Sequence, residues 1–406
     1  MTDYQPIPSC LCCGKSDLDV YISLGNQPLA NNYHTGQEQP ALPLAVGFCP
    51  HCFHSQLTIS VDPHLMFDHY VYLSGTSQTL RAYFENLTQE ILSAWKPSPS
   101  PRVLEIACND GTLLEMFQKE GCPVQGVEPA KNLLAITGPK GIPVTCEYWN
   151  LTTSKQFKNG YDIVVAVNVL PHVPDPYEFL LACREALAPG GKVYIQTSHA
   201  EIFSRFEFDT IYHEHVSYFT ANSFKTLAER AGLFVIDARK VPIHSASFLF
   251  TLSAQNEPGS ATAIEKMIAE ESRQGLHQLG TYRNFAQQAQ QMTSDLSKVI
   301  HTLHSEGKKV IGYGAAAKGN TLLNYGEIDL QYIVDDNAMK CGLMTPGRNI
   351  PIEKTERLYQ ETGPVAILVL AWNFIDEIRK RVVEHRGAAN DWWIEYFPEV
   401  KVSRTR

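Results

Sequence analysis

Two Cys-x-x-Cys pairs, Cys10/Cys13 followed by Gly14 and Cys49/Cys52, stand near the start of this 406-residue chain with 35 residues between them. Each tight turn directs two sulfurs at one point, and a folded loop brings the second pair round to the first. Four thiolates held in that way make a tetrahedral Zn²⁺ site with no open coordination position, so the expected metal is structural and the chemistry belongs elsewhere in the chain. Cys12 lies inside the first knuckle and offers an alternative ligand. Cys108, Cys122, Cys146, Cys183 and Cys341 carry no paired spacing and read as small buried hydrophobes.

The length suits two or three domains, each able to bury its own core. A net charge of −9 without a long Lys/Arg run argues against a nucleic-acid partner. No basic stretch leads into an apolar one at the N-terminus, and the apolar runs at 163–170 and 365–371 are too short to span a bilayer. The expectation is a cytoplasmic protein with no membrane partner, a monomer or homodimer.

From Leu80 to Trp95 apolar residues recur at helical spacing, and the Pro-rich stretch from Lys96 to Pro101 ends that helix. Strands and helices then alternate: strand 103–106, helix 113–119, strand 123–127, strand 163–167, helix 176–187 and strand 193–196. Such alternation predicts a parallel sheet wrapped by helices. The segment 261–304 reads as one or two long connecting helices. A second α/β unit follows, with strands at 309–313, 332–334 and 366–370. The domains expected are 1–75, 76–255 and 256–406.

The run from Val103 to Gly111 is a strand leading into a tight turn, Glu105-Ile-Ala107-Cys108-Asn109-Asp110-Gly111. In a doubly wound sheet, ligands bind beyond the carboxyl ends of the strands. Small residues there let the backbone approach a ligand, while Glu105, Asn109 and Asp110 offer polar groups to an ammonium and a carboxylate. Glu128-Pro129 ends the second strand, 23 residues after Glu105, where a carboxylate can accept from both hydroxyls of a ribose. The fourth strand leaves at Asn168-Val169, placed to close over an adenosine and a sulfonium. This combination predicts S-adenosylmethionine rather than NAD, whose fingerprint needs three glycines in the first turn.

Tyr212-His213-Glu214-His215 concentrates titratable side chains. A strand would divide them between two faces, whereas a loop lets them converge. His172 follows the fourth strand and is a second candidate. Methylation at carbon needs a base, and an imidazole titrates near neutrality. The expected roles are His215 as base with His172 second, and Tyr212 and Glu214 orienting it or stabilising an oxyanion. A metal site at the cluster is disfavoured by its ligand set. His69, Tyr70 and Tyr72, directly after the paired cysteines, form a polar aromatic patch that serves either as core or as a lid over a sugar ring; Tyr70, Tyr72 and Ser74 are expected substrate contacts, with Tyr72 also counted among the catalytic groups.

The paired cysteines, Leu24 to Asn31, Tyr70 to Ser74, Glu105 to Gly111, Asn168 to Val173, Tyr212 to His215, Gly312 to Gly319 and Ala371 to Phe374 occur in an order that resembles the bacterial sugar C-methyltransferases over essentially the full length. The resemblance implies a zinc-binding N-terminal module, a central class I methyltransferase doubly wound sheet and a C-terminal Rossmann-like α/β domain. It also implies methylation at C3, or C5, of a dTDP-linked 4-keto deoxysugar, with inversion at the acceptor carbon. One departure stands out. Where that family commonly shows His-Gly-Gly-Ser, this chain has His244-Ser245-Ala246-Ser247, which bears on the shape of the sugar pocket around His244.

Gly312-x-Gly314 after a strand, with Asp335 at the end of the next, is an imperfect dinucleotide fingerprint. It is read here as a turn whose amides near Gly314, with Lys318, cradle the diphosphate of a nucleotide-sugar. The rival functions are an O-methyltransferase acting on a sugar or small molecule, and a non-catalytic scaffold built on the zinc ribbon.

Overall fold

A computed structural model describes residues 3–36, 40–70, 72–97, 100–241, 243, 247–257, 262–387 and 389–404. By its internal contacts the chain divides into two compact units, each drawn from more than one stretch of sequence. Unit 1 comprises Met1–Asp19, Gly47–Glu201 and Val216–Leu279, and unit 2 comprises Val20–Val46, Ile202–His215 and Gly280–Arg406. The chain therefore enters unit 2 twice before its C-terminal third. Neither excursion carries a Pro/Gly/Ser-rich boundary of the kind that marks Lys96–Pro101, so composition could not reveal it.

Unit 1 is built on a seven-stranded sheet: β1 (Val103–Ile106), β2 (Val124–Val127), β3 (Val144–Thr145), β4 (Tyr161–Val167), β5 (Leu187–Ser198), β6 (Phe234–Val241) and β7 (Ser247–Ser253). The spatial order is β6-β7-β5-β4-β1-β2-β3. All neighbours run parallel except β7, which is antiparallel to both β5 and β6. Every residue of β1 is buried, as expected for a central strand covered on both faces. Strand order reverses between β1 and β4, which opens a crevice beyond their carboxyl ends.

Helix α1 (Gln78–Ala94) buries Leu80, Phe84, Leu87 and Ile91 at three- and four-residue spacing. It starts where Ser77 Oγ accepts from the Leu80 amide, and it packs with Val103, Leu113 and Phe117. The opposite face of the sheet is covered by α3 (Pro176–Ala186) and α4 (Ala221–Arg230), with Phe179, Phe224 and Leu227 in the core. Helix α2 (Thr112–Lys119) follows β1. The connector is two helices, α5 (Thr262–Arg273) in unit 1 and α6 (Leu279–Ser305) in unit 2.

Unit 2 is built on a six-stranded sheet: β8 (Val310–Tyr313), β9 (Ile333–Asp335), β10 (Ile352–Lys354), β11 (Ala366–Val369), β12 (Trp392–Glu395) and β13 (Lys401–Arg404). The order is β10-β9-β8-β11-β12-β13, parallel apart from β13. Helix α7 (Ala317–Tyr325) follows the glycine turn after β8, and α8 (Ile375–Arg386) follows β11. The early excursion contributes two strands, Asp19–Pro28 and Ala41–Phe48. Among the described residues no helix is long and apolar enough to cross a membrane.

Candidate active site

In unit 1 the sulfurs of Cys10, Cys13, Cys49 and Cys52 all lie within 4.8 Å of one another. Cys10 meets Cys52, and Cys13 meets Cys49, at 3.5 Å. Sulfurs at tetrahedral corners about 2.3 Å from one Zn²⁺ lie at nearly that spacing, so this donor set fits the metal. Each knuckle closes through a residue in the left-handed region: Gly14 at φ 77° in the first and Phe53 at φ 64° in the second, which donate to the carbonyls of Cys10 and Cys49. Cys12 is fully buried but its sulfur lies outside the four-sulfur group, which favours Cys10, Cys13, Cys49 and Cys52 as the donor set.

The turn after β1 has the backbone of a glycine loop made with other residues. Ala107 and Asn109 sit at φ 53° and 52°, and Gly111 at 72°; a Cβ on Gly111 would come within 2.8 Å of Ile142. The Asn109 amide donates to Glu128 Oε2 at 2.9 Å, and the Ala130 amide donates to Oε1 at 3.0 Å. Burial pushes the Glu128 carboxyl up against the pull of these two amides. A carboxylate has about four acceptor positions, so Glu128 keeps capacity for the hydroxyls of a ribose. Burial, and then the charges of Asp110 and Glu128, push Glu105 well above the usual carboxylate range. Its Oε2 is buried without a hydrogen-bond partner among the described residues. An orphaned acceptor in an acidic cup suits a ligand bearing an ammonium and a sulfonium, so these residues fit S-adenosylmethionine.

Asn109 and Asp110 bond to the segment that follows the paired cysteines. Asp110 Oδ2 accepts from Gly75 N at 2.7 Å, and Oδ1 accepts from Thr112 Oγ1 at 2.6 Å and Thr112 N at 3.2 Å. Asn109 accepts from Ser74 N and donates to Tyr72 O, each at 3.0 Å. Asn132 exchanges two hydrogen bonds with the backbone of Tyr70. The two loop residues expected to hold the amino-acid end of a ligand thus also tie Tyr72, Ser74 and Gly75 to the cofactor loop. These bonds place Tyr70, Tyr72 and Ser74 beside the loop.

Tyr72 is 45% exposed. Asn168, at φ 56°, bonds through its amide to Gln196 O, and Val169 O accepts from the His172 amide. His172 meets Phe67 edge-on, with centroids 5.9 Å apart. Pro129 O accepts from the Cys146 thiol.

In unit 2 the titratable cluster forms a turn, closed by His215 N to Tyr212 O at 2.9 Å. Tyr212 and His215 converge: the phenol oxygen lies 2.9 Å from His215 Nε2, and the rings are 4.1 Å apart. His215 Nδ1 lies 2.7 Å from the Thr210 carbonyl, which only accepts. Nδ1 therefore carries the hydrogen, and in the neutral ring Nε2 is the basic atom. Glu214 takes its hydrogen bond from Asn31 Nδ2 at 2.6 Å, and burial raises its carboxyl to about 7. His213 Nε2 bonds to Pro43 O at 3.2 Å. Asn31 and Thr210 were not singled out as site residues: Asn31 lies far back in sequence, and Thr210, two residues ahead of Tyr212, acts through its backbone carbonyl.

The C-terminal glycine turn is internally bonded. The amides of Gly314, Ala315 and Ala316 are taken by Val334 O, Asp335 Oδ2 and Gly314 O. An anion would have to be met by the first turn of α7 instead. Lys318 Nζ sits 3.9 Å from Glu207 and 4.8 Å over the Trp372 ring. His244 lies outside the described residues.

Three family models match in sequence: a putative zinc binding domain over 10–67, a methyltransferase domain over 78–238, and a C-methyltransferase C-terminal domain over 242–398. The central segment is 29% identical over 188 residues to a ubiquinone biosynthesis O-methyltransferase of Cereibacter sphaeroides, covering 41% of this chain and 73% of that one. Among solved structures, the PH0226 protein from Pyrococcus horikoshii OT3 aligns with a TM-score of 0.38 at 15% identity, over 48% of this chain and 98% of that one. The C-methyltransferase NovU of Streptomyces niveus is 31% identical over 400 residues, 94% of each chain. Matched along nearly its whole length, the chain belongs to the S-adenosylmethionine-dependent C-methyltransferase family, an enzyme family with a zinc-binding module rather than a scaffold.

Proposed function

We propose that the chain methylates C3, or C5, of a nucleotide-linked 4-keto deoxysugar, with a dTDP-sugar as acceptor and His215 as base. The observation that carries this reading is the fixed tautomer of His215, which makes Nε2 a proton acceptor facing the Tyr212 hydroxyl. A carbon beside a ketone becomes nucleophilic only when its proton leaves. Proton transfer to Nε2 frees the Tyr212 hydroxyl to donate to the enolate oxygen, where a preorganised donor has its largest effect. When bound, S-adenosylmethionine supplies the electrophilic methyl group. Glu128 and Glu105 hold it, and Tyr72, Ser74 and Gly75 bond to the loop on which it rests. His172 is the alternative base. Lys318 and the first turn of α7 are the groups for a diphosphate.

A second reading, O-methylation of a sugar or small molecule, draws on the match to the ubiquinone biosynthesis O-methyltransferases. Incubation with a panel of nucleotide 4-keto sugars separates the two. A mass gain of one CH₂ with a branched carbon in the product NMR spectrum is expected. A methoxy signal instead, or no product from any ketosugar, would overturn the first reading.

A further inference from the structure

The Ala371-Trp372-Asn373-Phe374 motif stands at the carboxyl end of β11 and has no part in the reaction as described so far. Its tryptophan points to one. Trp372 Nε1 donates to Asp209 Oδ2 at 2.7 Å, and the Tyr396 hydroxyl, just beyond β12, donates to the same oxygen at 2.7 Å. Asp209 is 1% exposed and Tyr396 is fully buried. The Trp372 ring is stacked on Phe397, with centroids 4.3 Å apart. A carboxylate this deep is costly unless paired, and it is held here by two neutral donors from the ends of two adjacent parallel strands.

The neighbour of Asp209 is Thr210, whose carbonyl accepts from His215 Nδ1. Residues 207–215 are otherwise a short 3₁₀ turn and loop. Thr210 is held from within by Glu207 O, and Ile211 O accepts from Thr321 Oγ1 on α7. The atom that decides the His215 tautomer is therefore one peptide away from the buried anchor.

We propose that Asp209, clamped by Trp372 and Tyr396, is a positioning residue that sets the His215 tautomer by fixing the Thr210 carbonyl. This rests on the reading of His215 as the base. Neither Trp372 nor Tyr396 touches the imidazole; each acts on it through the loop. Loosening the clamp lets the Thr210 carbonyl drift, the ring hydrogen redistributes between Nδ1 and Nε2, and the fraction of enzyme with a basic Nε2 falls.

The test uses full-length protein labelled with ¹⁵N-histidine and saturated with S-adenosylhomocysteine. The His215 ring signals are assigned by their loss in His215→Asn. In wild type the neutral ring carries its hydrogen on Nδ1. Trp372→Phe and Tyr396→Phe each remove one donor while keeping an aromatic ring. Both should show mixed tautomers, with kcat lower by about 10- to 100-fold and the KM for S-adenosylmethionine unchanged, the cost of a misplaced catalytic group. Asp209→Asn should behave likewise. Wild-type tautomer and wild-type kcat in both Phe variants would overturn the positioning role. Wild-type turnover in His215→Asn is a separate failure, since it removes the base on which the inference rests.

Discussion

Tyr212 and His215, three residues apart, form a hydroxyl–imidazole pair at 2.9 Å, and the Thr210 carbonyl on the far side of the ring decides which partner donates. With Nδ1 committed to the carbonyl, Tyr212 gives its hydrogen to Nε2. The pair is therefore polarised in the sense that proton abstraction requires, before any substrate arrives.

If His215 is the base, His215→Asn should keep the fold and cofactor binding yet lose about 10²- to 10⁴-fold in turnover. It should also fail to exchange the substrate's α-proton in D₂O with S-adenosylhomocysteine in place of the methyl donor. Exchange lost in His172→Asn but retained in His215→Asn would reverse the two assignments.

Glu128→Ala removes the carboxylate that receives the Asn109 and Ala130 amides. S-adenosylmethionine affinity measured by calorimetry should weaken by about 1.5–3 kcal/mol, the scale for hydrogen bonds to a charged group. Unchanged affinity would mean that the ribose is held elsewhere.

Metal content distinguishes the five cysteines of the two knuckles. Purified protein should carry about one zinc per chain. Cys49→Ser should lose it, and Cys12→Ser should keep it, because the Cys12 sulfur lies outside the four-sulfur group. Equal zinc loss in the two variants would argue that the register is wrong.

Glu214 is raised by burial from 4.5 to about 7 in the folded chain. A raised folded value means that the folded state holds its proton more tightly than the unfolded one. Its contribution is most favourable below about 4.5 and is lost as pH rises through about 7, a change on the order of a few kcal/mol. Glu214→Gln removes the ionisation while keeping the shape, so its melting temperature relative to wild type should rise between pH 5 and pH 8. A constant difference across that range would exclude an ionising Glu214.

The central sheet was legible because β4 runs apolar from Ile163 to Val167, β1 is apolar apart from Glu105, and α1 has a clean helical period, signals that are local and strong. Glu105 and Glu128 could be found because strand ends in such a sheet are known positions for ligands. The partner of Asp110 shows where that stops. Its residue type suits a ligand contact, but Gly75, far back in sequence, supplies the amide that claims it. Asp209 left a fainter trace, an acid three residues ahead of Tyr212, with no hint that Trp372 and Tyr396 would converge on it. Non-local hydrogen bonds of this kind leave no periodic mark.

The two early excursions into unit 2 bear on how such a chain can evolve. Asn31 and Tyr33 supply bonds to Glu214 and the Ala315 carbonyl, and His34 pairs with Met344, so unit 2 depends on segments far apart in the chain. A fragment cut at residue 256 would leave both partners with severed contacts. Recombination that swaps tail domains between related enzymes, to pair one methyltransferase core with a new acceptor, is therefore closed to simple crossovers. New specificity in this lineage has to come by substitution within an intact chain.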